Sequence, residues 1–160
     1  MKIKFKLNGD QVETHIRPDA FLIDVLRDLD CLGVKKGCDT GTCGACTIHF
    51  DNKPMLSCVM LAAKAHGHEI LTIEGVNDKA KTIGKHLVAE GVEQCGYCSP
   101  GTIMSILYLE SVLTDPTDED ILYYLNGNLC RCSGYAGQLR AIKAYFKSKN
   151  SEVKRHETCA

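Results

Sequence analysis

The sequence predicts an α+β protein with its strands in the first half and its helices in the second. Apolar alternation with paired turn signals runs as far as Ile73, and helical periodicity takes over after Gly75-Val76-Asn77-Asp78. The cysteines, ten in all, fall mostly into an early and a late set on either side of that change.

The first elements follow from period-two patterning. From Lys2 to Leu7, Ile3, Phe5 and Leu7 alternate with lysines; Asn8-Gly9 supplies a turn, and Val12 to Ile16 resumes the alternation as the second arm of a hairpin. Ala20 to Leu29 carries Leu22, Val25, Leu26 and Leu29 at helical spacing after Pro18-Asp19. Ala45 to Phe50 and Met55 to Val59 flank Asp51-Asn52-Lys53-Pro54 as a second hairpin, and Glu69 to Ile73 reads as a closing strand.

Past the change the spacing predicts four short helices, near Thr82 to Ala89, Pro100 to Leu113, Asp118 to Tyr124 and Gln138 to Phe146. Ser99 is placed as a cap with Pro100 in the first turn, and Thr117 with Asp120 resembles a capping box. Ile103, Met104, Ile106, Leu107 and Tyr108 are too apolar for a free surface and are read as bundle core first, a docking face second. The expected domains are residues 1–76 and 77–150, followed by a polar tail over 151–160.

The chain has 160 residues, 44% hydrophobic and 24% charged, with 19 lysines and arginines against 20 acids. No basic field attracts phosphate backbones or anionic lipid, so neither nucleic acid nor membrane is an expected partner. The charged N-terminus lacks a signal-peptide run and no later stretch could span a bilayer, which makes a cytoplasmic location the expectation. Thiols there are kept reduced, so the cysteines point to metal binding or redox chemistry rather than disulfides.

Cys38, Cys43, Cys46 and Cys58 form C-x4-C-x2-C-x11-C, whose first three members match the spacing by which plant-type ferredoxins hold a 2Fe-2S cluster. Three of them share one loop whose glycines allow the sharp backbone that turns successive amides toward sulfur. Zinc is the alternative for a thiolate tetrad, but zinc knuckles pair two C-x2-C units and this set has one. A Rieske centre needs two histidines; Cys46-Thr47-Ile48-His49 offers the C-x2-H unit and no C-x-H unit accompanies it, which leaves His49 as an outward-facing strand residue.

The late set, Cys95, Cys98, Cys130 and Cys132, reads C-x2-C-x31-C-x-C, one pair before a predicted helix and the other after the next. Two loops at one end of a bundle could meet there. A thioredoxin-like dithiol accounts for Cys95 and Cys98 but not for Cys130 and Cys132, and it expects a βαβ setting that the helical surroundings do not provide.

Three strings carry a family resemblance: Gly37-Cys38-Asp39-Thr40-Gly41-Thr42-Cys43-Gly44-Ala45-Cys46, Gln94-Cys95-Gly96-Tyr97-Cys98-Ser99-Pro100-Gly101, and Asn128-Leu129-Cys130-Arg131-Cys132-Ser133-Gly134-Tyr135. With them the chain resembles the small iron-sulfur subunit of the xanthine dehydrogenase family of molybdenum hydroxylases, over residues 1–147. The resemblance implies a β-grasp ferredoxin-like domain followed by a four-helix bundle, each with one 2Fe-2S cluster. It also implies a molybdenum-pterin large subunit that hydroxylates substrate, an FAD-binding medium subunit that receives the electrons, and a hetero-oligomer of the three. Gln94 and Cys132 are carried over as pterin contacts, and an N-heterocycle such as nicotinate or xanthine as the substrate. The chain itself shows no substrate site.

Cys31 is read as a small buried hydrophobe, Cys159 as a free thiol in the tail, and His66-Gly67-His68 as surface. A free-standing ferredoxin-like carrier and a zinc-stabilised interaction module are the competing functions; the first leaves the helical half without purpose.

Overall fold

The computed structural model describes residues 1–157. Five strands form one mixed sheet in the order β2-β1-β5-β3-β4: β1 Lys2–Leu7, β2 Asp10–His15, β3 Thr47–Phe50, β4 Lys53–Leu56 and β5 Glu69–Leu71. Only the β1–β5 pair is parallel. Both hairpins close on two residues of positive φ, Asn8-Gly9 and Asp51-Asn52, the type I′ geometry that matches strand twist. Helix α1 (Leu22–Asp28) covers the sheet and buries Leu22, Ile23 and Leu26 against Ile3, Phe5, Ile48 and Ile70.

On β1 the pleat sends Ile3, Phe5 and Leu7 inward and the lysines outward, where Lys2 and Lys4 both pair with Glu13 on β2. The second arm of the other hairpin is shorter than the alternation suggests. After Leu56 the chain turns into a short 3-10 segment, Ser57–Val59, because the Ser57 amide and hydroxyl both bond the Cys46 carbonyl.

A second hydrophobic cluster lies in the helices α2 (Asn77–Ala89), α3 (Ser99–Val112), α4 (Asp118–Leu125) and α5 (Ala136–Glu157). Helix α3 is apolar nearly all round, and it is buried accordingly, packed on β3 and β4 on one side and on α2 and α4 on the other. Ile103, Met104, Ile106 and Leu107 are core, while Tyr108 is half-buried. The strand-to-helix change falls in a 3-10 turn, Ile73–Val76, whose Ile73 and Val76 lean on the helical cluster. Its Glu74 reaches back to the amide of Gly33 at 2.7 Å.

Three expectations are corrected. His49 faces inward, 7% exposed, because α3 crosses that end of β3 and offers the Met104 carbonyl to the ring. Ser99 lies inside the first turn of α3 rather than at its cap, and its hydroxyl goes to the Glu93 carboxylate. Helix α5 continues to Glu157 through the segment read as a tail, since lysine, glutamate and arginine are good helix formers. Cys159 lies outside the described residues. The Thr117–Asp120 capping box forms as expected, with both reciprocal bonds present. No helix among the described residues is long and apolar enough to cross a membrane.

Candidate iron-sulfur centres

The loop from Gly37 to Cys46 is bent at Gly41 and Gly44, whose φ values of +69° and +71° turn the backbone left-handed twice within a few residues. Amides consequently point at sulfur. Backbone N–H groups of Thr40, Thr42 and Cys43, with the Cys43 thiol, hold the Cys38 thiol down at about 5. The Thr42 hydroxyl lies 3.8 Å from the same sulfur. Cys46 is buried, and the two bonds from Ser57 to its carbonyl bring Cys58 alongside it. Burial, then the bond to Cys46, then the charges of Cys46, Cys38 and Cys43 push the Cys58 thiol up to about 12.

The late set assembles where the loop before α3 meets the loop before α5. Cys95 and Cys132 have their sulfurs 3.6 Å apart, and Cys98 is hydrogen-bonded to Cys130. Burial first and Cys130 second push the Cys98 thiol up to about 12. The Ser133 amide approaches the Cys130 sulfur at 3.4 Å, and the amide of Cys130 takes the Tyr135 hydroxyl oxygen at 2.9 Å. Gln94 donates through Nε2 to the Cys132 carbonyl at 3.1 Å, so these two residues share one rim. Cys95 and Arg131 are exposed there.

The eight thiols thus fall into four hydrogen-bonded pairs: Cys38 with Cys43, Cys46 with Cys58, Cys95 with Cys132 and Cys98 with Cys130. A mononuclear zinc would gather four sulfurs about 2.3 Å from one point. The sulfurs of the late set instead stand in twos, Cys95 with Cys132 at 3.6 Å and Cys98 bonded to Cys130. Two thiols at each end of a set suit a two-iron rhomb, one pair per iron. The burial that pushes up Cys58, and the repulsion from its neighbours that adds to it, are offset once a cationic centre takes its proton's place, and the amides aimed at Cys38 offset the negative charge a reduced cluster carries. By these tests the donor sets fit 2Fe-2S clusters.

The two sets face each other. A cavity of about 200 Å³ is lined by Cys43 and Ala45 from the first and by Cys95, Cys98, Cys130 and Cys132 from the second. Beside it the Leu129 amide donates to the Cys43 carbonyl at 2.9 Å, and Asn128 Nδ2 donates to the Gly44 carbonyl at 3.2 Å. The Tyr97 hydroxyl donates to the Lys36 carbonyl at 2.8 Å. Such close approach needs glycine on both sides. A Cβ on Gly101 would stand 2.2 Å from the Gly44 oxygen, and one on Gly44 would stand 2.2 Å from the Gly127 oxygen.

The structure therefore brings together every cysteine that spacing had grouped, and it leaves Cys31 apart, 4% exposed in the first core with Asn8 Nδ2 3.9 Å from its sulfur. His66 and His68 are exposed as expected, bonded to the Lys4 amide and to Asp51. Missed from sequence were the contacts that dock one set on the other, made by Gly101, Asn128 and the Leu129 amide, and the His49 bond that docks β3 on α3. Gly101 at the start of an otherwise apolar helix was the one local signal of a close approach.

Two sets of four thiols, meeting where a small sheet packs on a helical bundle, define a two-cluster iron-sulfur protein of the electron-transfer class. Two family models match the chain, a 2Fe-2S iron-sulfur cluster binding domain over residues 5–64 and a 2Fe-2S binding domain over residues 72–143. The nicotinate dehydrogenase small FeS subunit of Eubacterium barkeri is 42% identical over 136 residues, covering 83% of this chain and 87% of that one. Caffeine dehydrogenase subunit gamma of Pseudomonas sp. (strain CBB1) is 37% identical, covering 97% and 95%. Quinoline 2-oxidoreductase from Pseudomonas putida 86 superposes with a TM-score of 0.86 at 32% identity, over 94% of this chain and 96% of that one. The chain belongs to the small iron-sulfur subunits of the xanthine dehydrogenase family of molybdenum hydroxylases.

Proposed function

We propose that this chain carries electrons out of a molybdenum-pterin large subunit and toward an FAD-binding medium subunit, within a hetero-oligomer that hydroxylates an N-heterocycle such as nicotinate or xanthine. The observation that carries the reading is the pairing of eight thiols into two facing sets. When bound, 2Fe-2S clusters supply one-electron acceptors in series. This chain's residues do the rest. Cys38, Cys43, Cys46 and Cys58 hold one centre, and Cys95, Cys98, Cys130 and Cys132 hold the other.

The late set takes the position next to the pterin. Gln94 and Cys132 are joined by a hydrogen bond on an exposed rim, and both are offered as the pterin contacts. The Cys38 loop, with exposed Asp39, Thr40 and Thr42, is the face turned to the flavin subunit. The substrate class follows the relatives' names, nicotinate, caffeine and quinoline, each an N-heterocycle. Thiol-ligated centres with all described cysteines free suit a reducing compartment, and we place the assembly in the cytoplasm.

Affinity purification of the chain from its native host tests the reading, with molybdenum-pterin and FAD subunits expected to co-purify. In the assembled enzyme Cys43→Ala removes the outer centre. With subunit composition and the late centre confirmed intact, substrate should still reduce the late centre while the flavin stays oxidised. Flavin reduction at an undiminished rate would sink the relay, and a stable monomer with both centres would make the chain a free carrier.

A further inference from the structure

One backbone hydrogen bond joins a cysteine of the first set to the residue next to a cysteine of the second. Cys43 and Cys130 belong to opposite sets. The carbonyl of Cys43 accepts from the amide of Leu129 at 2.9 Å, and Leu129 is joined by its peptide bond to Cys130. From one sulfur to the other the route runs along Cys43 to its carbonyl, across that bond, and through a single residue to Cys130.

The other links between the halves are longer or begin farther from sulfur. Tyr97 reaches Lys36 through its whole side chain, and Lys36 stands before Gly37 rather than at a cysteine. The Asn128–Gly44 bond joins two residues that are not ligands. The bond from His49 to Met104 joins a strand residue to a helix residue, and neither adjoins a cysteine of its set. Where backbone does not bridge, the sets face each other across the cavity of about 200 Å³. Electron tunnelling falls off less steeply along bonds, and along short hydrogen bonds, than across a gap. The glycines at 44 and 101 let the backbones come this near, and Asn128 and Tyr97 grip the carbonyls on either side.

We infer that the Leu129 N–H···O=C Cys43 hydrogen bond is the conducting link through which an electron passes between the two centres. One electron leaves the centre held by Cys130, oxidising it, and the same electron reduces the centre held by Cys43. No proton or third group is required. The inference rests on the two-cluster reading proposed above, and it assigns the crossing to a particular atom pair.

The test replaces Leu129 in the assembled enzyme by its α-hydroxy acid, which turns one amide into an ester and removes the donor while keeping the side chain. Two measurements are made, the magnetic splitting between the two reduced centres by electron paramagnetic resonance, and the rate of electron equilibration between them after pulsed reduction. Retained splitting with equilibration slowed severalfold is the expected result. Retained splitting with an unchanged rate overturns the inference. Lost splitting with a slower rate also overturns it, because the bond would then only hold the loops together. If the unmodified enzyme shows no pair of 2Fe-2S signals, the two-cluster reading fails instead.

Discussion

His49 Nε2 lies 2.7 Å from the Met104 carbonyl oxygen, a bond from β3 to α3 that pins the sheet to the central helix. The carbonyl can only accept, so the ring donates from Nε2. Tyr108 stands edge-on to the ring at 6.2 Å. Burial pushes the His49 pKa down from 6.5, opposed by the Met104 bond.

The sign of the pH dependence follows. Below about pH 6.5 the unfolded chain binds a proton at His49 that the folded one refuses, so this contribution is complete above that pH and is lost as pH falls toward the depressed folded value. Urea unfolding of the native chain and His49→Gln should converge at acid pH and diverge near neutrality. A constant gap between them from pH 5 to 8 would refute the assignment. His49→Phe, which leaves no donor, should cost about 1–2 kcal/mol at neutral pH.

Glu93 places a carboxylate beside the late set. Both oxygens accept from the Ser99 hydroxyl, at 2.8 and 2.6 Å, and after burial and Cys130 the carboxylate also raises the Cys98 thiol. A negative charge there disfavours adding an electron. Glu93→Gln should shift the midpoint potential of the late centre upward and leave the Cys38-loop centre where it is, as read by a redox titration under electron paramagnetic resonance. A downward shift, or equal shifts in both centres, would contradict this placement of the charge.

Iron content separates the grouped cysteines from the others. The native chain should bind about four irons, two per cluster. Cys31→Ala and Cys159→Ser should keep that number, although the first opens a small cavity in the sheet core. Cys58→Ser should lower it, because Cys46 then loses its partner. Stoichiometric zinc after anaerobic preparation would be the contrary outcome.

Two glycine substitutions should have opposite signs. Gly84 lies in α2 with nothing within 4 Å of the position its Cβ would take, so Gly84→Ala should stabilise by about 0.5–1 kcal/mol. Gly101→Ala meets the Gly44 oxygen at 2.2 Å, backbone against backbone, and should cost about 1–3 kcal/mol. Thermal midpoints of the two holoproteins check the pair, and destabilisation by both would discount the close approach as the cause.

Much of this was legible in sequence because it is local. The alternation of Ile3, Phe5 and Leu7, the Asn8-Gly9 turn and the Thr117–Asp120 cap each depend on a few adjacent residues, and each forms as read. Cysteine spacing likewise grouped the same thiols that the fold brings near one another. What did not show was anything decided by the far half of the chain. His49 looks like an outward strand residue until α3 covers it, and Ser99 looks like a cap until Glu93 takes its hydroxyl. The helix past residue 150 was hidden by its polar composition, which a solvated helix and a loose tail share.

The central place of β5 has a consequence for how the chain is made. Both hairpins can form from neighbouring residues, but they are joined into one sheet only when Glu69–Leu71 slides between β1 and β3. That pairing spans more than sixty residues, as in Lys6 with Glu69, so loop closure makes it the slow event of the sheet. All four cysteines of the first set precede β5 along the chain. On a growing polypeptide they are synthesised before the strand that locks their scaffold. The sheet that carries the Cys38 loop is therefore incomplete until β5 has been made.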